Sequence, residues 1–238
     1  MLILQKLEED RMQNALLIRA LNVTPDTECH IYGESVAVLD GVGKIWLFSL
    51  KNNGDFEKLL GMLEAPLSYT FMITDEAFFE DVSSVINITE SVDYLQYTID
   101  APCFSDTVHE CPEGVEIIKI DESWTEYILS LYKSPEFGNE TYVRKCLRVN
   151  PAYGALLNGE RAGFIMEHAN GELGTIYVVK EARRYGIGRL LMQAITPDYI
   201  KQGGIGVGLV LPSNAKCTGM LDDTNYKLAS KKIMWIYK

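Results

Sequence analysis

Long apolar runs are missing from this chain of 238 residues. Met1-Leu2-Ile3-Leu4 is cut short by Gln5, Lys6 and Glu8, and no other stretch reaches the roughly 20 apolar residues that cross a bilayer. We therefore expect no signal peptide, no membrane partner and a cytoplasmic location. Cysteine is sparse and odd in number: Cys29, Cys103, Cys111, Cys146 and Cys217 contain no Cys-x-x-Cys pair. That pattern suits reduced thiols rather than a disulfide framework. Cys103, His109 and Cys111 cluster but lack a fourth ligand at sensible spacing, so no metal is expected. Basic residues are scarce at the front, where residues 1–110 hold 6 Lys and Arg against 19 Asp and Glu. Such a surface repels nucleic acid and would attract a cationic ligand. A P-loop is absent, and so is a Gly-x-Gly-x-x-Gly that opens a helix. Gly204-Ile205-Gly206-Val207-Gly208 runs instead into Leu209-Val210-Leu211, a strand closed by Pro212.

What is present is ample core material, 47% of the residues being hydrophobic. One stretch carries a chemical message. Ile176-Tyr177-Val178-Val179 reads as a strand, and a polar turn leads into Arg183-x-x-Gly186-x-Gly188 at the start of a helix. Ile187, Leu190, Leu191, Ala194 and Ile195 give that helix one apolar face. Glycines admit a bulky anion to the backbone, and the first helical N–H groups have no acceptor within the helix. With Arg183, Arg184 and Arg189 nearby, the turn is a phosphate cradle. Pro197 predicts a stop or kink at Thr196.

Around the cradle the pattern is that of an α/β unit. Val115 to Ile120 reads as a strand, and Asp121 or Ser123, the latter in a capping box with Glu126, starts a helix; a second helix follows Asn139. Cys146 falls on the buried face of that second helix. Ala155 to Leu157, Ala162 to Met166 and Leu173 to Val179 form an antiparallel meander turning at Asn158-Gly159 and Ala169-Asn170-Gly171. Ile205 to Leu211 is a strand, Ser213 or Asn214 caps a short helix, and Leu228 to Tyr237 closes the sheet. In the first half, Leu4 to Leu21 and Phe56 to Leu63 read as helices, Val36 to Leu39 and Ile45 to Leu50 as strands. Asp100-Ala101-Pro102 through Gly114 reads as a linker, which divides the chain at residues 1–111 and 112–238.

Arg183-x-x-Gly186-x-Gly188 resembles the coenzyme A signature of the GNAT superfamily of acyl-CoA-dependent N-acyltransferases. A second family segment can be laid, without a gap, from Asn214 through Cys217, Met220 and Leu221 to Asn225 and Tyr226. The resemblance covers roughly residues 112 to 238. It implies a mixed, largely antiparallel twisted sheet flanked by helices, preceded here by a smaller α/β domain without a cofactor site. Met1 to Gln5 and His30 to Val36 also loosely resemble the amino-terminal half of glycine N-acyltransferases, which pair a degenerate first half with a working second one.

The resemblance implies acetyl-CoA as acyl donor, held at Ile176, Tyr177, Val178, Arg183, Arg184, Tyr185, Gly186, Ile187, Gly188, Arg189 and Asn214, and no metal. It matches Val178 to the backbone N–H that stabilises the thioester oxygen, and it fits Gly206 and Gly208 to a gap between strands. An amine acceptor is mostly protonated at neutral pH, so the reaction needs a base. The family's strand-borne Glu, eleven residues before the Arg, corresponds to Glu172. Its general-acid Tyr falls on Leu221, which has no proton to give, and leaves Cys217, one turn earlier, as the alternative. Two readings follow: transfer of an acetyl or short acyl group to a small-molecule primary amine, or a non-catalytic acyl-CoA sensor. The acidic first half points to a polyamine or aminoglycoside, the glycine N-acyltransferase likeness to an amino acid. A monomer or homodimer is expected.

Overall fold

A computed structural model describes residues 2–24, 27–40, 45–64, 69–100, 110–132 and 139–238. The first half contributes α1 (Leu2–Glu8), α2 (Ala15–Val23), β1 (Cys29–Tyr32), β2 (Ser35–Leu39), β3 (Ile45–Ser49), α3 (Asp55–Leu60), β4 (Thr70–Ile73), α4 (Phe79–Val85) and β5 (Glu90–Asp100). The second adds β6 (Val115–Lys119), α5 (Thr125–Leu131), α6 (Glu140–Val149), β7 (Ala152–Leu157), β8 (Glu160–Glu167) and β9 (Leu173–Val178). It ends with α7 (Ile187–Gly203), β10 (Ile205–Val210), α8 (Ala215–Asp222), β11 (Lys227–Leu228) and β12 (Ile233–Tyr237). This is a mixed α/β architecture with largely antiparallel sheets flanked by helices.

One sheet runs β6-β7-β8-β9; the other runs β1-β2-β3-β4-β12-β5-β10, with β11 also on β5. Two strands therefore lie far from their neighbours in sequence. β12 sits between β4 and β5, with Trp235 opposite Met72 on one side and Val92 on the other. β5 in turn carries β10 on its far edge, from Ile205 opposite Asp100 to Val210 opposite Leu95. The last strand of the chain completes the first sheet, and a strand of the first half anchors β10.

Helices pack where their apolar stripes dictate. On α6, Val143, Cys146 and Leu147 are buried, so Cys146 is a core residue. α7 buries Ile187, Leu190, Leu191 and Ile195 as its spacing predicts, but it runs through Pro197 to Gly203 instead of stopping. Proline removes one helical donor there, while the Thr196 hydroxyl donates back to the Met192 carbonyl at 2.6 Å and the buried face holds the helix together. The expected helix from Leu4 to Leu21 is two, because buried Asn14 donates its side-chain amide to the Leu7 carbonyl (2.9 Å) and ends the first. Asp121, not Ser123, supplies the cap before α5, accepting from the Ser123 N–H at 2.9 Å. The expected strand from Leu228 to Tyr237 is divided: β11 and β12 both pair with β5, at separate stretches.

The two halves repeat a strand–helix–strand unit with opposite results. β3 and β4 stay zipped as a parallel pair from Ile45/Thr70 to Phe48/Ile73. Their connecting turn ends at Gly54 (φ +83°), whose N–H is taken by the Asp81 carboxylate at 2.8 Å, while Asp55 accepts from the Asn52 N–H at 3.1 Å. The chain's own carboxylates fill the place an anion would take. β9 and β10, the strands flanking α7, share no ladder: they are terminal strands of different sheets. The gap between them is the site.

Candidate functional site

The expected cradle is a tight turn at the head of α7. Arg184 (φ +77°) and Gly186 (φ +72°) both adopt left-handed conformations, which coil the chain tightly before α7. Leu190 is the first helical donor, to the Gly186 carbonyl at 3.1 Å, so the N–H groups of Ile187, Gly188 and Arg189 lie ahead of the helical ladder. A concavity of about 480 Å³ opens over them, lined by Val178, Arg183, Arg184, Gly186 to Arg189, Met220 and Asp223. A side chain on Gly188 would crowd the Met220 sulfur at 3.1 Å. Arg183 is exposed and its Nε donates to the Val178 carbonyl at 3.2 Å; Arg189 pairs with Asp223. Tyr185, expected among the residues that hold the donor, is exposed and does not line the concavity.

A second cavity, of about 410 Å³, adjoins the first at Met220 and follows the gap between β9 and β10. Glu172, Gly174, Thr175 and Ile176 line one side, Gly208 to Leu211 the other, with Asn214, Cys217, Met220 and Leu221 of the α8 region over one mouth. β9 is bulged here: its register with β8 slips between Phe164 and Met166, and Thr175 takes φ +48°. Past the bulge, the Val179 N–H donates to Ala162 at 2.9 Å, so by strand alternation the N–H and carbonyl of Val178 face the open edge. Tyr177 turns the other way and stacks on Phe164. Gly208 lines the gap, whereas Gly206 answers to packing, since a Cβ there would strike Ile99 at 2.6 Å. Asn214 caps α8, its side chain accepting from the Cys217 N–H at 3.3 Å.

Glu172 sits at the head of β9, half-buried. Burial pushes its carboxyl up to about 7, offset in part by hydrogen bonds from the Asn170 side chain and the Leu209 backbone N–H. A carboxyl poised near neutrality in a cavity is suited to accept a proton. Burial also raises the thiol of Cys217, which keeps it protonated, and raises the phenol of Tyr226, which hydrogen-bonds Thr196 at 3.1 Å.

Sequence reasoning missed His168. It is buried, its ring bonded through Nδ1 to the Tyr142 hydroxyl (3.1 Å) and through Nε2 to the Thr175 hydroxyl (2.9 Å). Burial drives it down to about 4, so it is neutral at physiological pH and orients Thr175 at the bulge. Its position beside a turn carried no periodic signal. No group of three metal-ligating side chains occurs among the described residues; Cys103 and His109 lie outside them. No helix among the described residues is long and apolar enough to cross a membrane.

Residues 153–236 match the family model described as FR47-like protein. No curated protein sequence matches the chain. Among solved structures, a Drosophila protein superposes with a TM-score of 0.75 at 16% identity, covering 98% of this chain and 93% of its own. A GCN5-related N-acetyltransferase from Kribbella flavida gives 0.61 at 11% identity, covering 94% and 95%. A tandem GNAT protein from the clavulanic acid biosynthesis pathway gives 0.54 at 13%, covering 94% and 87%. The chain has the GNAT fold.

Proposed function

We propose that this GNAT-fold chain is an N-acyltransferase that moves an acetyl or other short acyl group from acyl-CoA to a primary amine of a small molecule, by direct attack in a ternary complex. The observation that carries the reading is the pair of adjoining cavities, with Glu172 on one and the arginine-rimmed amides of Ile187 to Arg189 in the other.

In this reading the cradle grips the pyrophosphate, Arg183 and Arg184 add charge, and the open edge of Ile176 to Val178 pairs with the pantetheine arm. The bound thioester supplies an electrophilic carbonyl. The Val178 N–H donates to its oxygen as negative charge develops. Glu172 takes a proton from the ammonium of the acceptor, and the freed nitrogen attacks the carbonyl carbon. The carbon–sulfur bond breaks, and the second nitrogen-borne proton passes to the departing thiolate. In this reading Cys217 relays that proton, taking one from the nitrogen side as it gives its own to the sulfur, and a thiol with a pKa of about 8.5 also leaves unaided. Holding the amine and thioester together supplies much of the acceleration.

Leu221, standing where the resemblance expects a tyrosine acid, favours the second reading, an acyl-CoA sensor or regulatory protein. Thiol release across a broad amine panel separates the two. Turnover supports the transferase; a melting temperature raised by acetyl-CoA with no turnover supports the sensor. Under either reading Arg183→Glu abolishes the melting shift, which for ligand at 100 times Kd corresponds to about 2.7 kcal/mol.

A further inference from the structure

The cavity has two faces of different chemistry. Toward α8 it meets Asn214, Cys217, Met220 and Leu221, the side that adjoins the cradle. Another part of its wall comes from the exchanged strands. On β12, Trp235 and Tyr237 alternate onto one face, and the register placing Ile233 opposite Tyr94 of β5 puts Tyr94 on that same face. The rings of Tyr94 and Trp235 lie 6.2 Å apart at 58°, those of Trp235 and Tyr237 6.3 Å apart at 35°. All three line the cavity, as do Leu209 and Tyr132, whose ring centre is 6.4 Å from that of His168. Glu172 is the one carboxylate among the described lining residues.

We infer that the acceptor is a monoamine with a flat aromatic body, its ring seated on Tyr94, Trp235 and Tyr237 and its ammonium directed to Glu172. The inference rests on the acyltransfer reading and names its substrate class. A continuous aromatic wall gives a planar ring offset-stacked and edge-to-face contacts, and removes apolar surface from water. A single carboxylate matches one positive charge. The wall also gives a role to the first half of the chain, which brings Tyr94 and the β4–β5 slot that holds Trp235 and Tyr237 in place.

The test is steady-state thiol release by the full chain with saturating acetyl-CoA and four acceptors: 2-phenylethylamine, n-propylamine, spermidine and phenylalanine. The expected result is kcat/KM for 2-phenylethylamine at least about 10-fold above each of the others. Trp235→Leu and Tyr237→Ala should each lower the ratio of 2-phenylethylamine to n-propylamine about 10-fold, through KM. Retention of the acetyl-CoA melting shift reports that a variant is folded; if Trp235→Leu loses it, the half-buried Tyr237 carries the comparison. Equal or better turnover of n-propylamine, spermidine or phenylalanine overturns the inference and leaves acyl transfer standing. So does an unchanged ratio in the folded variants. Acetyl-CoA binding without turnover of any amine overturns both.

Discussion

At the scale of one side chain, the proposed reaction turns on Glu172. Its carboxyl is held near 7 in the fold against about 4.5 for its ordinary value, so the basic form accumulates only as pH rises through 7. We expect kcat/KM to climb across that range with a single ionisation, and Glu172→Gln to lower kcat about 100-fold and flatten the rise, with acetyl-CoA affinity retained. The stability consequence has the opposite sense. Between pH 4.5 and 7 the unfolded chain releases a proton that the folded chain keeps, so stability falls as pH rises through that window. Glu172→Gln should therefore melt higher than wild type at pH 8, and a lower melting temperature would contradict the account. Asp223 provides a second test. Its carboxylate holds Arg189 at the cradle, in an exposed pair of the kind worth about 0–1 kcal/mol. If the concavity holds a diphosphate as proposed, removing a negative charge from it outweighs that loss, so Asp223→Asn should tighten acetyl-CoA binding two- to fivefold by calorimetric titration. Glu172, which lines the cavity, was singled out by the family resemblance, eleven residues before Arg183. His168 and Trp235 were not, because a histidine beside a turn and a tryptophan in an apolar strand look alike whether they fill a core or line a cavity.

Among the elements, the gap between β9 and β10 depends on what braces it from behind. Arg19 of α2 is buried there, its guanidinium 3.4 Å from the Tyr199 ring centre. It donates to the Glu167 carboxylate at 2.6 Å and to the carbonyls of Tyr199 (3.0 Å) and Ile205 (3.2 Å). The pair joins the end of β8 to α7 and to the start of β10. Replacing Arg19 by Met would strand a buried carboxylate that desolvation already raises, and should cost about 3–5 kcal/mol in denaturant unfolding. An unchanged midpoint would contradict this role. The helices and the meander were readable from the sequence because their periodicity is local. Pro197 misled because packing of α7 on both sides of it outweighs one missing hydrogen bond, and the break before Asn14 escaped because it is made by side chains bonding to backbone.

For the whole molecule, the decisive feature is the exchange of β5 and β12. β12 is an unbroken apolar run, buried from Ile233 to Ile236, and nothing in such a run names its partner strands; the linker read at residues 100–114 likewise told nothing of ladders that join the two halves. We expect residues 1–111 and 112–238, made separately, to be insoluble or poorly folded, since each exposes unpaired strand edges. Made together, they should assemble and bind acetyl-CoA. A monomeric, cooperatively melting 112–238 fragment would contradict the exchange. In the proposed function the exchange lets one half serve the other: the first keeps β3 and β4 zipped and fills its own turn with Asp55 and Asp81, yet lends Tyr94 and a strand slot to the second. The central claim is that the β9–β10 gap holds an acyl-CoA. A crystal structure of the full chain with acetyl-CoA tests it most directly: the account predicts the diphosphate on the amides of Ile187 to Arg189 and the thioester beside Val178, within reach of Glu172, whereas a ligand bound elsewhere, or a gap closed by its own side chains, would contradict it.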